Sequence, residues 1–513
     1  CTGFQPDFDP APRTRYFWRV SAAADNGDTA TSDPAWFETA LARDGWSARW
    51  ITPGFDKKSH PIFQKSFTLP EDVVSARAYA CGLGIYELSV NGRKAGDEYL
   101  LPGFHAYDFW QQYQTFDLTG LLRAGENTVS AALGNGWYKG TFGFNGAGGD
   151  HYGDEFRFLC QIVATRKNGQ EIVISTKEDW ACRPGNCLDS SIYDGEFTDG
   201  SMDLPGLDVF GGETGPDWTP ARLADMGLDQ LSPRMSPPIT NQESFSVAQV
   251  IHTPAGETVF DFGQEVTGWV EFVCRAPKGA KVSLYYGELL QEGNFCQTNL
   301  RSAKAAFTYI SAGKNETVRP RFTFFGFRYV KVEGFDAPDP KDFTARAIYS
   351  RLDTIGEIET SNPLVNRLFL NAMWGQKDNF LDVPTDCPQR DERMGWTGDA
   401  QVFCATASMN LECEAFYAKY MHDVLLEQTY LGGSVPHVIP EIKKDGKGMI
   451  GKDACAWADV ATVVPWTVYV MGGDKALLEE QYPSMKMWVE RIRSYDEADG
   501  GKRLWQTGNH FAD

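Results

Sequence analysis

The segment Asp382-Val-Pro-Thr-Asp-Cys-Pro-Gln-Arg-Asp-Glu-Arg-Met-Gly-Trp-Thr-Gly-Asp399 gathers five carboxylates, two arginines and an indole into eighteen residues. Pro384 and Pro388 oppose a regular helix or central strand, and Gly395 and Gly398 permit turns, so the segment reads as ordered loop. Acids at this density fit glycoside hydrolysis, which needs one carboxyl to protonate the leaving oxygen and a second as nucleophile or base. Glu392 and its acidic neighbours are the candidates. A general acid at neutral pH needs a raised pKa, and Asp386, Asp391 and Asp399 supply like charge. Trp396 offers an apolar wall for a sugar face. Arg390 and Arg393 work the other way. Each residue also has a plainer reading. Asp399 precedes an apolar helix and could cap it. Asp391 between arginines suits an ion pair, and Trp396 suits a core. A calcium site from Asp382, Asp386 and Asp391 is opposed by the same arginines.

The elements that must position these groups change character along the chain. At 513 residues the length prior is three or four domains. Residues 1–45 carry an alternating strand pattern, Tyr16-Phe-Trp-Arg-Val20, and read as the last strands of a small β-sandwich. Residues 46–230 hold many short strands, with a hairpin expected at Asn91-Gly92 and a long surface loop from Gly134. A Pro-rich joint at 232–239 opens a second β-sandwich over 231–352. From 353 the period becomes helical: Asn362-Pro363 starts a helix with Leu364, Leu368 and Ala372 on one face, and further helices are expected over 400–426, 456–471 and 477–492.

A net charge of −21 argues against nucleic acid or an anionic membrane surface as partner, and no apolar run is long enough for a transmembrane helix. Eleven cysteines without paired-metal spacing read as scattered reduced thiols and favour the cytoplasm. A signal peptide upstream of Cys1 would instead place the protein outside that compartment. Neither a cofactor nor a metal is expected.

The run Asp386-Cys-Pro-Gln-Arg-Asp-Glu-Arg-Met-Gly-Trp-Thr-Gly-Asp-Ala-Gln401 resembles the signature of bacterial α-L-rhamnosidases of glycoside hydrolase family 78. Tyr16–Val20 is similar to that family's fibronectin-III-like N-terminal module, and Gly82–Gly92, Asn135-Gly-Trp-Tyr138, Asp261-Phe-Gly-Gln264 and Gly326-Phe-Arg-Tyr329 are similar to motifs of its following β domains, the first of them over 46–230 jelly-roll-like. Trp457-Ala-Asp459 with Pro465-Trp466 is similar to a second helical motif, with Ala458 where the family usually has Gly. The resemblance implies N-terminal β-sandwiches before an all-α (α/α)6-barrel catalytic domain over 353–513, incomplete here. It implies an inverting mechanism that releases terminal α-L-rhamnose from glycosides or polysaccharides. Carried over by position, Glu392 matches the general acid, Asp386, Trp396 and Asp399 the rhamnose subsite, and Trp457 a further wall. The family's base is a distant glutamate. With 121 residues after Glu392 (513 − 392), that base is expected beyond residue 513. Two other readings stay open, a non-catalytic carbohydrate-binding fragment and a hydrolase for a different sugar. A homodimer is also left open.

Overall fold

The computed structural model describes residues 8–144, 148–202, 217–442 and 451–503. The first module is two hairpins. Arg15–Trp18 pairs with Ala35–Glu38, and Ser21–Ala23 with Thr29–Thr31. It docks through Glu38, whose carboxylate takes Arg15 and, at 2.7 Å, Arg77 of the next region.

That region is a face-to-face pair of sheets, seven strands against six. Alternating side chains of Ile85–Val90, Gly125–Gly134 and Arg157–Arg166 fill the space between with Phe63, Tyr86, Leu88, Phe158 and Trp180. The hairpin at Asn91-Gly92 forms as the sequence predicts. Val90 faces Arg93, and both turn residues take positive φ, 53° and 75°. The surface loop expected from Gly134 is different. Gly136–Lys139 forms one helical turn with Trp137 and Tyr138 buried, and Trp137 stacks on Phe104 at 5.5 Å. Two large rings in a glycine-rich stretch are buried at a junction because their apolar area outweighs the local turn preference.

A ten-stranded sheet follows, centred on the long strand Thr258–Cys274 between Phe325–Glu333 and Phe343–Ser350. It recruits Cys187–Ser191 and Gly195–Asp199 from the preceding region, the latter parallel to Ala306–Ile310. The aromatic run 322–327 is core, with Phe322, Phe324, Phe325 and Phe327 buried, and Arg328 at its edge makes a bidentate pair with Asp261.

Five helices occur after residue 353 among the described residues: Pro363–Asn379, Thr397–Asn410, Glu414–Tyr430, Val460–Gly472 and Lys475–Ala498. Asn362 caps the first, accepting from the Leu364 amide at 3.0 Å, with Pro363 at the first helical position. The apolar face assigned to this helix is not the covered one. Leu364 and Leu368 are exposed (78% and 67%), and Met373, Gln376 and Asp378 face inward. The single helix expected over 400–426 is two, broken at Leu411–Cys413. The helices share one continuous core with the ten-stranded sheet, so no solvent layer separates the β and α parts.

Candidate active site

The acid-rich segment lies at the junction of all three larger regions. It begins with a two-residue hairpin, Phe380–Leu381 against Val383–Pro384, and runs as irregular chain to Trp396, the residue before the Thr397–Asn410 helix. Gly395 and Gly398 serve close approach rather than turning. A Cβ at Gly395 would stand 2.1 Å from the Ile439 carbonyl, and one at Gly398 2.7 Å from the Trp457 ring. The backbone is pinned by Ile439 N–H donating to Gly395 O and Thr397 N–H to His437 O.

Arg393 does most of the anchoring. Its guanidinium is fully buried and, among the described residues, donates to main-chain carbonyls: Ile192 and Phe324 at 2.8 and 2.7 Å, Gln389 at 2.8 Å and Arg390 at 3.1 Å. Burial pushes its pKa down to about 10, which keeps it charged at neutral pH. Its φ of +52° turns the chain at this point. Among the described residues it makes no direct ion pair with the acids beside it in sequence, and acts on Asp386 and Asp391 only through its charge.

Arg390 makes such pairs. Its Nε donates to Glu392 Oε2 at 2.7 Å and its Nη2 reaches Asp386 Oδ2 at 3.3 Å. A second cation, unforeseen in the sequence, comes from the β domain: Arg301 Nη1 lies 2.9 Å from the same Glu392 oxygen. Trp396 Nε1 donates to the other oxygen, Oε1, at 3.1 Å. Glu392 is thus held on both oxygens and nearly enclosed, 6% exposed. Asp391 is fully buried and accepts from Ser302 Oγ at 2.5 Å, with Arg301 at 4.0 Å. The ion-pair reading of Asp391 holds in kind, with Arg301 as the cation rather than a sequence neighbour.

Asp386 accepts from the Met394 amide at 3.0 Å; burial, aided by the Glu392 charge, raises its pKa to about 6. A carboxylate oxygen of Asp386 lies within 4.8 Å of one of Glu392. Facing glycosidase carboxyls stand about 5–5.5 Å apart in retaining enzymes and about 6.5–9.5 Å in inverting ones. The Asp386–Glu392 separation is shorter than the spacing an inverting pair needs to hold a water. Asp399 stands in the first turn of its helix, not at the cap; surrounding protein and Glu392 raise its pKa. Asp386 and Asp399 both line a cavity of about 380 Å³ with Gln376, Asn379, Phe403 and Tyr417. That volume suits a monosaccharide-sized ligand. Trp457 packs on Gly398 and lies 6.2 Å from His437.

Asp382 is turned elsewhere, with its carboxylate 3.2 Å from the buried Lys419 ammonium, so the calcium set Asp382, Asp386 and Asp391 does not converge. Arg301, Phe144 and Lys419 were missed by sequence reasoning. No spacing marks them, since each reaches the loop from a distant part of the chain.

Acids, guanidiniums and an indole meet at Glu392, and Asp386 and Asp399 of the same loop line a sugar-sized cavity that Glu392, Trp396 and Trp457 do not line, in a multidomain chain of β-sandwiches packed on helices. Family models agree along the chain. Residues 353–513 match the bacterial alpha-L-rhamnosidase 6 hairpin glycosidase domain, 71–243 the alpha-L-rhamnosidase N-terminal domain, and 251–349 the concanavalin-like domain. Residues 6–43 match the Rha78A-like N-terminal immunoglobulin domain. The chain belongs to the bacterial α-L-rhamnosidase family. An alpha-L-rhamnosidase of Formosa agariphila is 32% identical over 512 residues, covering 93% of this chain and 53% of that protein. The crystal structure of native α-L-rhamnosidase from Aspergillus terreus superposes with a TM-score of 0.89 at 33% identity, covering 94% of this chain and 56% of that one. That of Streptomyces avermitilis alpha-L-rhamnosidase, complexed with L-rhamnose, gives 0.88 at 26% identity, covering 95% and 64%. The chain spans about half the length of the relatives it matches.

Proposed function

We propose that this chain is the acid-bearing portion of an inverting α-L-rhamnosidase whose helical region belongs to an (α/α)6 barrel. The observation that carries the reading is Glu392, held by Arg390 and Arg301 on one oxygen and by Trp396 on the other, on the same loop whose Asp386 and Asp399 line the cavity. Glu392 donates its proton to the glycosidic oxygen as the bond to the rhamnose anomeric carbon breaks. Asp386 and Asp399 accept from rhamnose hydroxyls, and Trp396 and Trp457 wall the ring. Water attacks the opposite face, activated by a base not assigned among the described residues. The 6-hairpin description of the model matched over 353–513 supports the barrel, and the L-rhamnose bound in the Streptomyces relative supports the sugar.

The test is hydrolysis of an aryl α-L-rhamnoside by the whole protein, with product anomer read by NMR. Release of β-L-rhamnose, lost in Glu392→Gln, is expected. Absence of hydrolysis, or full activity in Glu392→Gln, would sink the assignment, and a retained anomer would sink the inverting mechanism. A panel of other aryl glycosides separates rhamnose from another sugar.

A further inference from the structure

Two residues beside Glu392 come from neither the helical region nor the acid loop. Arg301, with φ +57°, follows the short turn Thr298–Leu300 in the ten-stranded-sheet domain. Phe144 comes from the N-terminal sandwich. Its ring lies 6.2 Å from Trp396, and the Arg301 guanidinium stands 5.7 Å over it. Together they form a wall over the acid.

The position of this wall follows from what encloses Glu392. Trp396 occupies one oxygen, Arg390 binds the other from within the loop, and the Tyr193 hydroxyl bonds the Glu392 carbonyl at 2.7 Å. The remaining neighbour on the carboxylate is Arg301, whose side chain is 40% exposed. A proton donor has to meet the leaving oxygen, and the side with a displaceable, solvent-open neighbour is where that oxygen arrives. Both acid contacts of Arg301 use Nη1. Among the described residues its Nε and Nη2 take no acceptor. That edge of the guanidinium is the fork that binds a carboxylate through two parallel hydrogen bonds. Charge sharpens the argument. In a chain of net charge −21, with four carboxylates at the site, an anionic glycoside is repelled unless a local cation receives it.

We propose that Phe144 and Arg301 form the leaving-group subsite and that it selects aglycones carrying a carboxylate on the ring bonded to the glycosidic oxygen. The proposal rests on Glu392 being the proton donor. Phe144 packs against the flat face of the aglycone, and the free edge of Arg301 takes its carboxylate.

The test compares kcat/KM of the whole protein for 4-carboxyphenyl and 4-carbamoylphenyl α-L-rhamnoside, close in shape and different in charge. The quantity read is the ratio of the two within each variant, which cancels any loss they share. In Arg301→Gln the ratio should fall about ten- to hundred-fold, the scale of a charge-assisted hydrogen bond. Arg301→Lys should keep only part of it, because an ammonium keeps the charge and loses the fork, and Phe144→Ala should lower both substrates together. In the unmodified protein the ratio should also fall several-fold between about 0.02 and 0.5 M NaCl, a measurement that needs no variant to fold. An unchanged ratio in Arg301→Gln, or a salt-independent ratio in the unmodified protein, overturns the subsite while leaving Glu392 standing. Hydrolysis of neither compound overturns the assignment of Glu392 and the subsite with it.

Discussion

Replacing Lys419 by Met tests how the acid loop is held in place. Lys419 lies on the Glu414–Tyr430 helix with its side chain wholly buried, and its ammonium sits 3.2 Å from both Asp382 Oδ2 and Asp423 Oδ2. It also donates to the carbonyls of Phe104 and Asp382, the latter at 3.3 Å. Asp423 in turn accepts from Ala106 N–H at 3.0 Å and Trp110 Nε1 at 2.8 Å, both on the β-sandwich. One ammonium therefore joins helix, acid loop and sandwich. At 3.2 Å and an effective dielectric of about 20, each contact is worth about 5 kcal/mol gross. Desolvation offsets most of that in the intact cluster. Met keeps the length and removes the charge, leaving two buried carboxylates with no cation between them. Removing one partner of a buried pair costs about 3–5 kcal/mol. At about 2–4 °C per kcal/mol for a unit of this size, the melting temperature should fall by about 6–20 °C. Adding Asp382→Asn removes one uncompensated charge and should return about 1–3 kcal/mol. Thermal unfolding of Lys419→Met, Asp382→Asn and the double variant measures the coupling as a cycle. A Lys419→Met melting temperature within about 2 °C of the parent, or strict additivity in the cycle, would refute the reasoning.

Glu392→Gln should lose about 10²–10⁴ in kcat/KM on rhamnosides of poor leaving groups and less than about tenfold on a dinitrophenyl rhamnoside, which departs unprotonated; equal losses would exclude proton donation. Trp396→Phe deletes the indole N–H that donates to the Glu392 carboxylate, so kcat/KM should fall about 5–30-fold with the fold intact, and an unchanged value would make the indole a wall alone. Burial raises the Asp378 pKa to about 8 although its Oδ1 accepts from Thr267 N–H at 2.8 Å. The folded state then keeps a proton that the unfolded chain sheds above about pH 4, so stability declines as pH rises from 4 towards 8. Asp378→Asn should flatten that decline in melting temperature between pH 5 and 8, and parallel curves for the two proteins would refute it.

What the sequence shows of the site is its local part. Asp386, Glu392, Trp396 and Asp399 lie within fourteen residues, so a short loop fixes their neighbourhood, and their spelling is enough to place them near one another. Arg301, Phe144 and Lys419 carry no such mark. An arginine in a β-rich loop and a lysine in an amphipathic helix are ordinary surface residues until the tertiary fold buries or aims them. The helices show the same limit. The spacing of Leu364, Leu368 and Ala372 gives a helix, yet periodicity does not say which stripe is covered, and the inward stripe here carries Gln376 and Asp378. Gly134–Gly140 is the opposite error. Its glycines spell a loop, while Trp137 and Tyr138 bring enough apolar area to be drawn into the junction.

The conformation that presents Glu392 belongs to the junction rather than to the helical region. Arg393, one residue on, sits at positive φ, and its buried guanidinium is satisfied by carbonyls from the segment after Cys187–Ser191, from the strand-edge residue Phe324 and from the loop itself. Without the two outer carbonyls its Nη1 would be a buried, charged donor with no acceptor, a cost of several kcal/mol that the loop would relieve by unwinding the positive-φ turn. Tyr193 reinforces the same arrangement: its ring lies 5.5 Å from the Arg393 guanidinium, and its hydroxyl bonds the carbonyl of Glu392 itself. The strand pair Cys187–Ser191 and Gly195–Asp199 thus has a reason to leave its own sandwich for the ten-stranded sheet: the crossing between them delivers Ile192 and Tyr193 to the back of the acid.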